Sequence, residues 1–240
     1  RGPGTSQGRF DREVDVLGRI RHPNLVKLVD VRHARHSSGL ILIRVDGVHL
    51  STWLATAGPS LMDRLQVFRQ LVGAVASLHD GGAVHRDLNP GNVLVREDAE
   101  FGPVACLIDL GIAKSNYLDG MTLQGASLGT PGFLAPEQIR DAGSVDHRAD
   151  IFALGCLLYL LLAGEPPFQG PGPAAVLGAV ALGHRRPLWD TAPDTPPWLV
   201  ELADHLLALR PEDRPARAQA IKEWLDRRGP PAEETLSWNR

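Results

Sequence analysis

The chain has 240 residues, 43% hydrophobic and 22% charged, with a net charge of −3. That balance describes a globular protein with a sizeable core, in one large domain or two small lobes, and it gives no broad basic surface for nucleic acid. The longest apolar run, 151–163, is well short of the ~20 residues a membrane span needs, so it reads as a buried core helix; no signal peptide is visible.

Arg1 stands where a Met would open a translated chain, so translation is expected to start upstream. Residues 1–8 are Gly-rich and polar and read as a loop. Phe10, Val14 and Leu17 then recur at i, i+4 and i+7, one face of a short helix. His22-Pro23 ends it, because the residue before a proline avoids the helical region. Leu25 to Val31 and Leu40 to Val45 read as strands joined by a polar turn, His33 to Gly39.

Ser60 to His79 is the clearest helix. Ser60 with Asp63 resembles a capping box, with Asp in place of the usual Glu or Gln. Leu61, Leu65, Phe68, Val72, Val75 and Leu78 form its apolar stripe, and Gly81-Gly82 stops it. A short hairpin follows, Val93 to Val95 and Val104 to Ile108. Ser115 to Gly129 is polar and aperiodic and reads as a mobile loop carrying the hydroxyls of Thr122 and Ser127. Asp146 to Ala163 is the buried helix, and further helices are expected near Ala174–Leu182, Leu199–Leu209 and Ala216–Arg227. Cys106 and Cys156 lie in apolar segments without metal-ligand spacing, as buried free thiols of a reducing compartment would. Arginine far outnumbers lysine, which occurs only at Lys27, Lys114 and Lys222; with the abundant Ala, Gly and Pro this suggests a GC-rich bacterial genome.

The chemistry concentrates in Val84-His85-Arg86-Asp87-Leu88-Asn89-Pro90-Gly91-Asn92-Val93-Leu94-Val95. Asp87 and Asn92 stand five residues apart across a Pro-Gly bend, so the carboxylate can face a hydroxyl while the amide turns toward a metal. Leu107-Ile108-Asp109-Leu110-Gly111 delivers another carboxylate at the end of an apolar strand. Asn and Asp oxygens are hard ligands and suit Mg²⁺ on phosphates. Gly129-Thr130-Pro131-Gly132-Phe133-Leu134-Ala135-Pro136-Glu137 follows. A loop-capping Asp and a solvated helix-face Glu are the bland alternatives for Asp87 and Glu13.

In this order and spacing the three stretches resemble the eukaryotic-like serine/threonine protein kinases, over about Phe10 to Arg228. The resemblance implies an α+β, two-lobed fold. Residues 1–46 would be an incomplete small β lobe and hinge, 47–228 a mainly helical large lobe, and 229–240 a polar tail. It implies transfer of the ATP γ-phosphoryl group to protein Ser or Thr, with ATP and Mg²⁺ as cofactors. Asp87 would be the catalytic carboxylate, with Asn89 beside the transferred phosphate where the family usually has lysine. Asn92 and Asp109 would be the Mg²⁺ ligands, and Ile43, Val45 and Leu94 would meet the nucleotide. Glu13 would pair with a strand lysine, and Leu17 and Leu28 would stack behind the nucleotide.

The same resemblance makes Arg86 either a receiver of loop phosphate or a structural ion-pair partner. Glu137 with Arg214 would be a buried ion pair, Asp150 a brace for backbone N–H groups of the catalytic loop, and His85 a packed core residue. Leu110 replaces the family's usual Phe, a conservative apolar exchange. Partners would be Ser/Thr protein substrates and a second copy for trans-autophosphorylation, in a cytoplasmic protein or the cytoplasmic part of a longer one. Only twelve residues precede Glu13 and none is lysine, so the family's Gly-rich hairpin and strand lysine are expected to be missing and the chain as written to transfer phosphate weakly. The alternative is a pseudokinase acting as a nucleotide- or partner-binding module. A small-molecule phosphotransferase is disfavoured, since such enzymes lack the Gly129 to Glu137 element.

Overall fold

A computed structural model describes residues 14–16, 18–33, 38–109, 130–140 and 145–228. Residues 14–16 and 18–19 are helical, as the Phe10–Leu17 spacing predicts, while Glu13 and Leu17 themselves lie outside the described residues. Strands β1 (Leu28–His33) and β2 (Ser38–Leu42) form a two-stranded antiparallel sheet, with a register irregularity between Leu28 and Asp30. Both strands differ from the expected limits. Leu25 and Val26 are buried but pair elsewhere: Leu25 bridges Leu107 in parallel, and Val26 N–H donates to Leu107 O at 2.9 Å.

The second sheet holds β3 (Val48–His49), β4 (Val93–Asp98) and β5 (Gly102–Leu107) in that order, all antiparallel. Helix α1 (Leu50–Ala57) follows β3 directly and was not expected. Its sequence, LSTWLATA, carries hydroxyl and β-branched residues of modest helix propensity. Burial of Leu50 and Trp53 holds it instead.

Helix α2 (Leu61–Asp80) matches its expectation closely, and the capping box is complete: Ser60 Oγ accepts from Asp63 N–H, and Asp63 Oδ2 accepts from Ser60 N–H at 2.9 Å. Leu61 is the exception in the stripe. It sits at the first helical position and is 38% exposed. Gln70, on the buried side of α2, gathers a polar cluster: its Oε1 accepts from Ala105 N–H (2.6 Å) and Asn24 Nδ2 (3.2 Å), while Asn24 Nδ2 also donates to Ala105 O (2.7 Å). This pins the segment after His22-Pro23 to β5.

Helices α3 (Pro136–Arg140), α4 (Arg148–Ala163), α5 (Pro173–Leu182), α6 (Leu188–Thr191), α7 (Pro197–Leu206) and α8 (Ala218–Arg228) complete the described chain. The apolar run forms the centre of the core, with every residue from Ala149 to Leu162 buried. A helix apolar on all sides must be wrapped by neighbours, and α2 and α7 pack on α4. At Gly155 the α7 contact is close enough that a Cβ would stand 2.7 Å from Leu206 Cβ. No helix among the described residues is long and apolar enough to cross a membrane.

Candidate active site

The loop between α2 and β4 is built around its own side chains. Asn89 is buried; its Nδ2 donates to Asp87 O (3.0 Å) and its Oδ1 accepts from Gly91 N–H (2.9 Å), capping the 3-10 turn Pro90–Asn92. Asn92 Nδ2 donates to both Asp87 O and Asp87 Oδ2, each at 2.8 Å. Two amides thus converge on the Asp87 carbonyl, and one also orients its carboxylate. Pro90 fits the turn because its missing N–H is not needed there.

Asp109 arrives from the other side. Val93 pairs with Leu107, and Ile108 N–H donates to Asn92 O at 2.9 Å, so the end of β5 runs beside the turn carrying Asn92. Asp109 is exposed. With Asn92 Nδ2 engaged by Asp87, the side-chain Oδ1 of Asn92 and the Asp109 carboxylate are the two oxygens the sequence reading expects at Mg²⁺. Among the described residues no group of three or more His, Cys, Asp or Glu side chains could hold a metal.

Below the loop, Asp150 is fully buried in the first turn of α4. Its Oδ2 accepts from His85 N–H and His79 Nε2, both at 2.8 Å, and its Oδ1 accepts from Arg86 N–H at 2.7 Å. The positive end of the α4 dipole favours a carboxylate there. His85 is buried, and burial lowers its pKa against the opposing pull of Asp150, Asp109 and Asp87. The ring is packed in the core, as the sequence reading expects. Arg86 has φ 64°, a left-handed conformation that costs an L-residue about 1–2 kcal/mol.

The segment carrying Glu137 is anchored by Arg214, 77 positions later in the chain. Arg214 Nη1 and Nη2 grip Glu137 Oε1 and Oε2 at 2.6 and 2.9 Å, with the Arg214 side chain wholly buried. Gln138, the next residue, donates from Nε2 to Arg86 O at 2.9 Å and accepts at Oε1 from Ala135 N–H at 2.9 Å.

Ile43, Val45 and Leu94, the residues expected to meet the nucleotide, are more loosely placed. Ile43 N–H donates to Lys27 O at 2.9 Å, beyond the end of β2, and the residue is 41% exposed. Val45 and Leu94 are half-buried. A Cβ on Gly47 would stand 2.9 Å from Val95 O and 3.4 Å from Leu94 Cβ, so the chain leaving Ile43 and Val45 runs tightly over β4.

Residues 4–225 match the family model described as the protein kinase domain. This chain belongs to that family. Curated relatives of the kinase domain include serine/threonine-protein kinase pkn2 of Myxococcus xanthus, 36% identical over 222 residues, covering 91% of this chain and 26% of the relative. Serine/threonine-protein kinase PkaA of Streptomyces coelicolor is 36% identical over 211 residues, covering 87% and 37%. The kinase domain thus spans about a quarter to a little over a third of the length of these relatives. Among solved structures, one of Rad53 1-466 in complex with AMP-PNP superposes with a TM-score of 0.73 at 25% identity, covering 92% of this chain and 56% of that one. The two-lobed kinase fold, a small sheet and a mostly helical part, is therefore the fold of this chain.

In the kinase domain, Asp87, Asn89 and Asn92 share one hydrogen-bonded loop, and β5 brings Asp109 alongside. Glu13, Leu17, Leu110, Thr122 and Ser127 lie outside the described residues. Sequence reading missed Gln138. Its position three residues after Ala135 signals a helix cap, but nothing local signals its reach to Arg86.

Proposed function

We propose that this chain transfers the γ-phosphoryl group of ATP to the hydroxyl of serine or threonine in proteins. The observation carrying this reading is the Asn92 amide bonded to both the carbonyl and the carboxylate of Asp87, with Asp109 delivered beside it. The serine/threonine-protein kinase names of the bacterial relatives and the AMP-PNP in the Rad53 complex agree with it.

Asp87 orients the acceptor hydroxyl and takes its proton as the hydroxyl oxygen bonds to phosphorus and the bond from phosphorus to the ADP oxygen breaks. Asn92 keeps the Asp87 oxygen aimed, so little reorientation is needed at the moment of transfer. Asn89 steadies Asp87 from inside the loop and carries no charge toward the phosphates. Asn92 and Asp109 would hold Mg²⁺, which supplies charge neutralisation on the phosphate oxygens when bound. Ile43, Val45 and Leu94 form the apolar side of the nucleotide site. A second copy acts as phosphate donor to the Ser115–Thr130 segment, with Arg86 as its receiver. We place the reaction in the cytoplasm, where ATP is supplied and where buried unpaired Cys106 and Cys156 stay reduced.

The test separates the two carboxylates in the protein at its natural length. Asp87→Asn should lower kcat by about 10²–10⁴ with ATP still bound, whereas Asp109→Ala should weaken Mg²⁺–ATP binding itself. Equal loss of nucleotide affinity in both variants would overturn this division of roles.

A further inference from the structure

Arg86 is the single non-glycine residue with positive φ among the described residues, at 64°. A residue with a Cβ holds that conformation only where its surroundings fix it. Two contacts do so. Asp150 Oδ1 accepts from Arg86 N–H at 2.7 Å, and Gln138 Nε2 donates to Arg86 O at 2.9 Å. The donor and acceptor of one residue belong to the two peptide planes flanking it, so holding both sets its φ and ψ. The plane on the Gln138 side is the peptide that carries the Asp87 N–H.

Resting on the phosphoryl-transfer reading above, we infer that Gln138 is a positioning residue: its side-chain amide holds the Arg86–Asp87 peptide in the strained orientation that aims Asp87, and ties that orientation to the segment ending in Glu137. The competing role is local. Gln138 Oε1 accepts from Ala135 N–H just ahead of α3, the reciprocal half of a capping box. Glutamate serves that cap equally well. Only an amide can accept from Ala135 and donate to Arg86 at once, because a carboxylate has no N–H to give.

The difference makes Gln138→Glu the decisive variant: it keeps the cap and removes the bond to Arg86. It is compared with wild type in three backgrounds, Arg86, Arg86→Ala and Arg86→Gly. The last two both lack the guanidinium, but only glycine takes positive φ without strain. Gln138→Glu should lower kcat about tenfold with Arg86 or Ala at position 86, matching the ~1.4 kcal/mol scale of left-handed strain, and change KM little. With Gly at position 86 the loss should shrink to about twofold or less. A purely electrostatic effect of the new charge would instead be the same in the Ala and Gly backgrounds, and that result overturns the inference, as does a loss confined to KM. Residue-resolved hydrogen exchange supplies a readout without turnover. In Gln138→Glu the Asp87 amide should exchange faster while the Ala135 amide keeps its protection; unchanged exchange at Asp87 refutes the role. If the wild-type protein transfers no phosphate, the functional reading fails, and the exchange result still decides what Gln138 holds.

Discussion

Truncating Arg214 to alanine removes more than one ion pair. All five guanidinium N–H donors are used: two on the Glu137 carboxylate, and one each on Ala208 O (2.8 Å), Arg148 O (2.9 Å) and Leu209 O (3.2 Å). The guanidinium also lies over the Phe152 ring, 4.9 Å from its centroid. The Arg214 side chain is 0% exposed and that of Glu137 is 17% exposed, so the stranded carboxylate recovers only part of its hydration. Removing one partner of a buried pair costs about 3–5 kcal/mol. At roughly 2–4 °C per kcal/mol for a chain of this size, the thermal midpoint should fall by about 6–20 °C. Arg214→Lys should fall in between, because three donors on a point charge cannot span five directions. Thermal unfolding of the parent and the two variants, followed by circular dichroism, checks this. A midpoint for Arg214→Ala within about 2 °C of the parent would mean that the network contributes little net stability, and the reasoning from burial would fail.

A pH effect is expected at His22, whose pKa burial lowers from about 6.5 to about 4, with Lys222 a lesser cause. Between those values the unfolded chain takes a proton that the folded chain refuses, so stability should fall as pH drops from about 6.5 to about 4. His22→Gln should flatten that fall in melts across the range, and an unaltered profile would remove His22 as a contributor. Loop control predicts that mass spectrometry, after incubating the protein with ATP, finds phosphate between Ser115 and Thr130; full activity in a Thr122→Ala, Ser127→Ala double variant would count against it.

What the sequence makes legible here is what neighbouring residues determine. The α2 capping box needs only Ser60 and Asp63, and the apolar run of α4, too short to span a membrane, reads as a buried helix. The family motifs likewise point to Asp150 as a brace and to Glu137 with Arg214 as a pair. Helix α1 escapes because its order comes from the burial of Leu50 and Trp53, which periodicity over eight residues cannot show. The shift of β1 has a similar cause: Leu25 and Val26 look like the start of a strand, but Asn24 and Gln70 commit them to β5. Gln138 is half legible, since its cap is local and its bond to Arg86 spans 52 positions.

Taken together, these long-range bonds close on themselves. The first turn of α4 holds Arg86 N–H through Asp150 and offers the Arg148 carbonyl to Arg214. Arg214 holds Glu137, and the adjacent Gln138 holds Arg86 O. The path returns to the residue it started from, the strained one immediately before Asp87. Strain at a single residue survives only if it is over-determined, and a ring supplies that: Arg86 is held through Asp150 to a helix inside the core and through Gln138 to a segment pinned by a fully bonded arginine. Each member therefore acts partly through the others, so losses at Asp150, Gln138 and Arg214 will not add as independent contributions. The same ring accounts for the position of Asp87: its carboxylate is held by Asn92 within the loop, but the peptide before it is set by Asp150 and Gln138, more than fifty positions away in the chain.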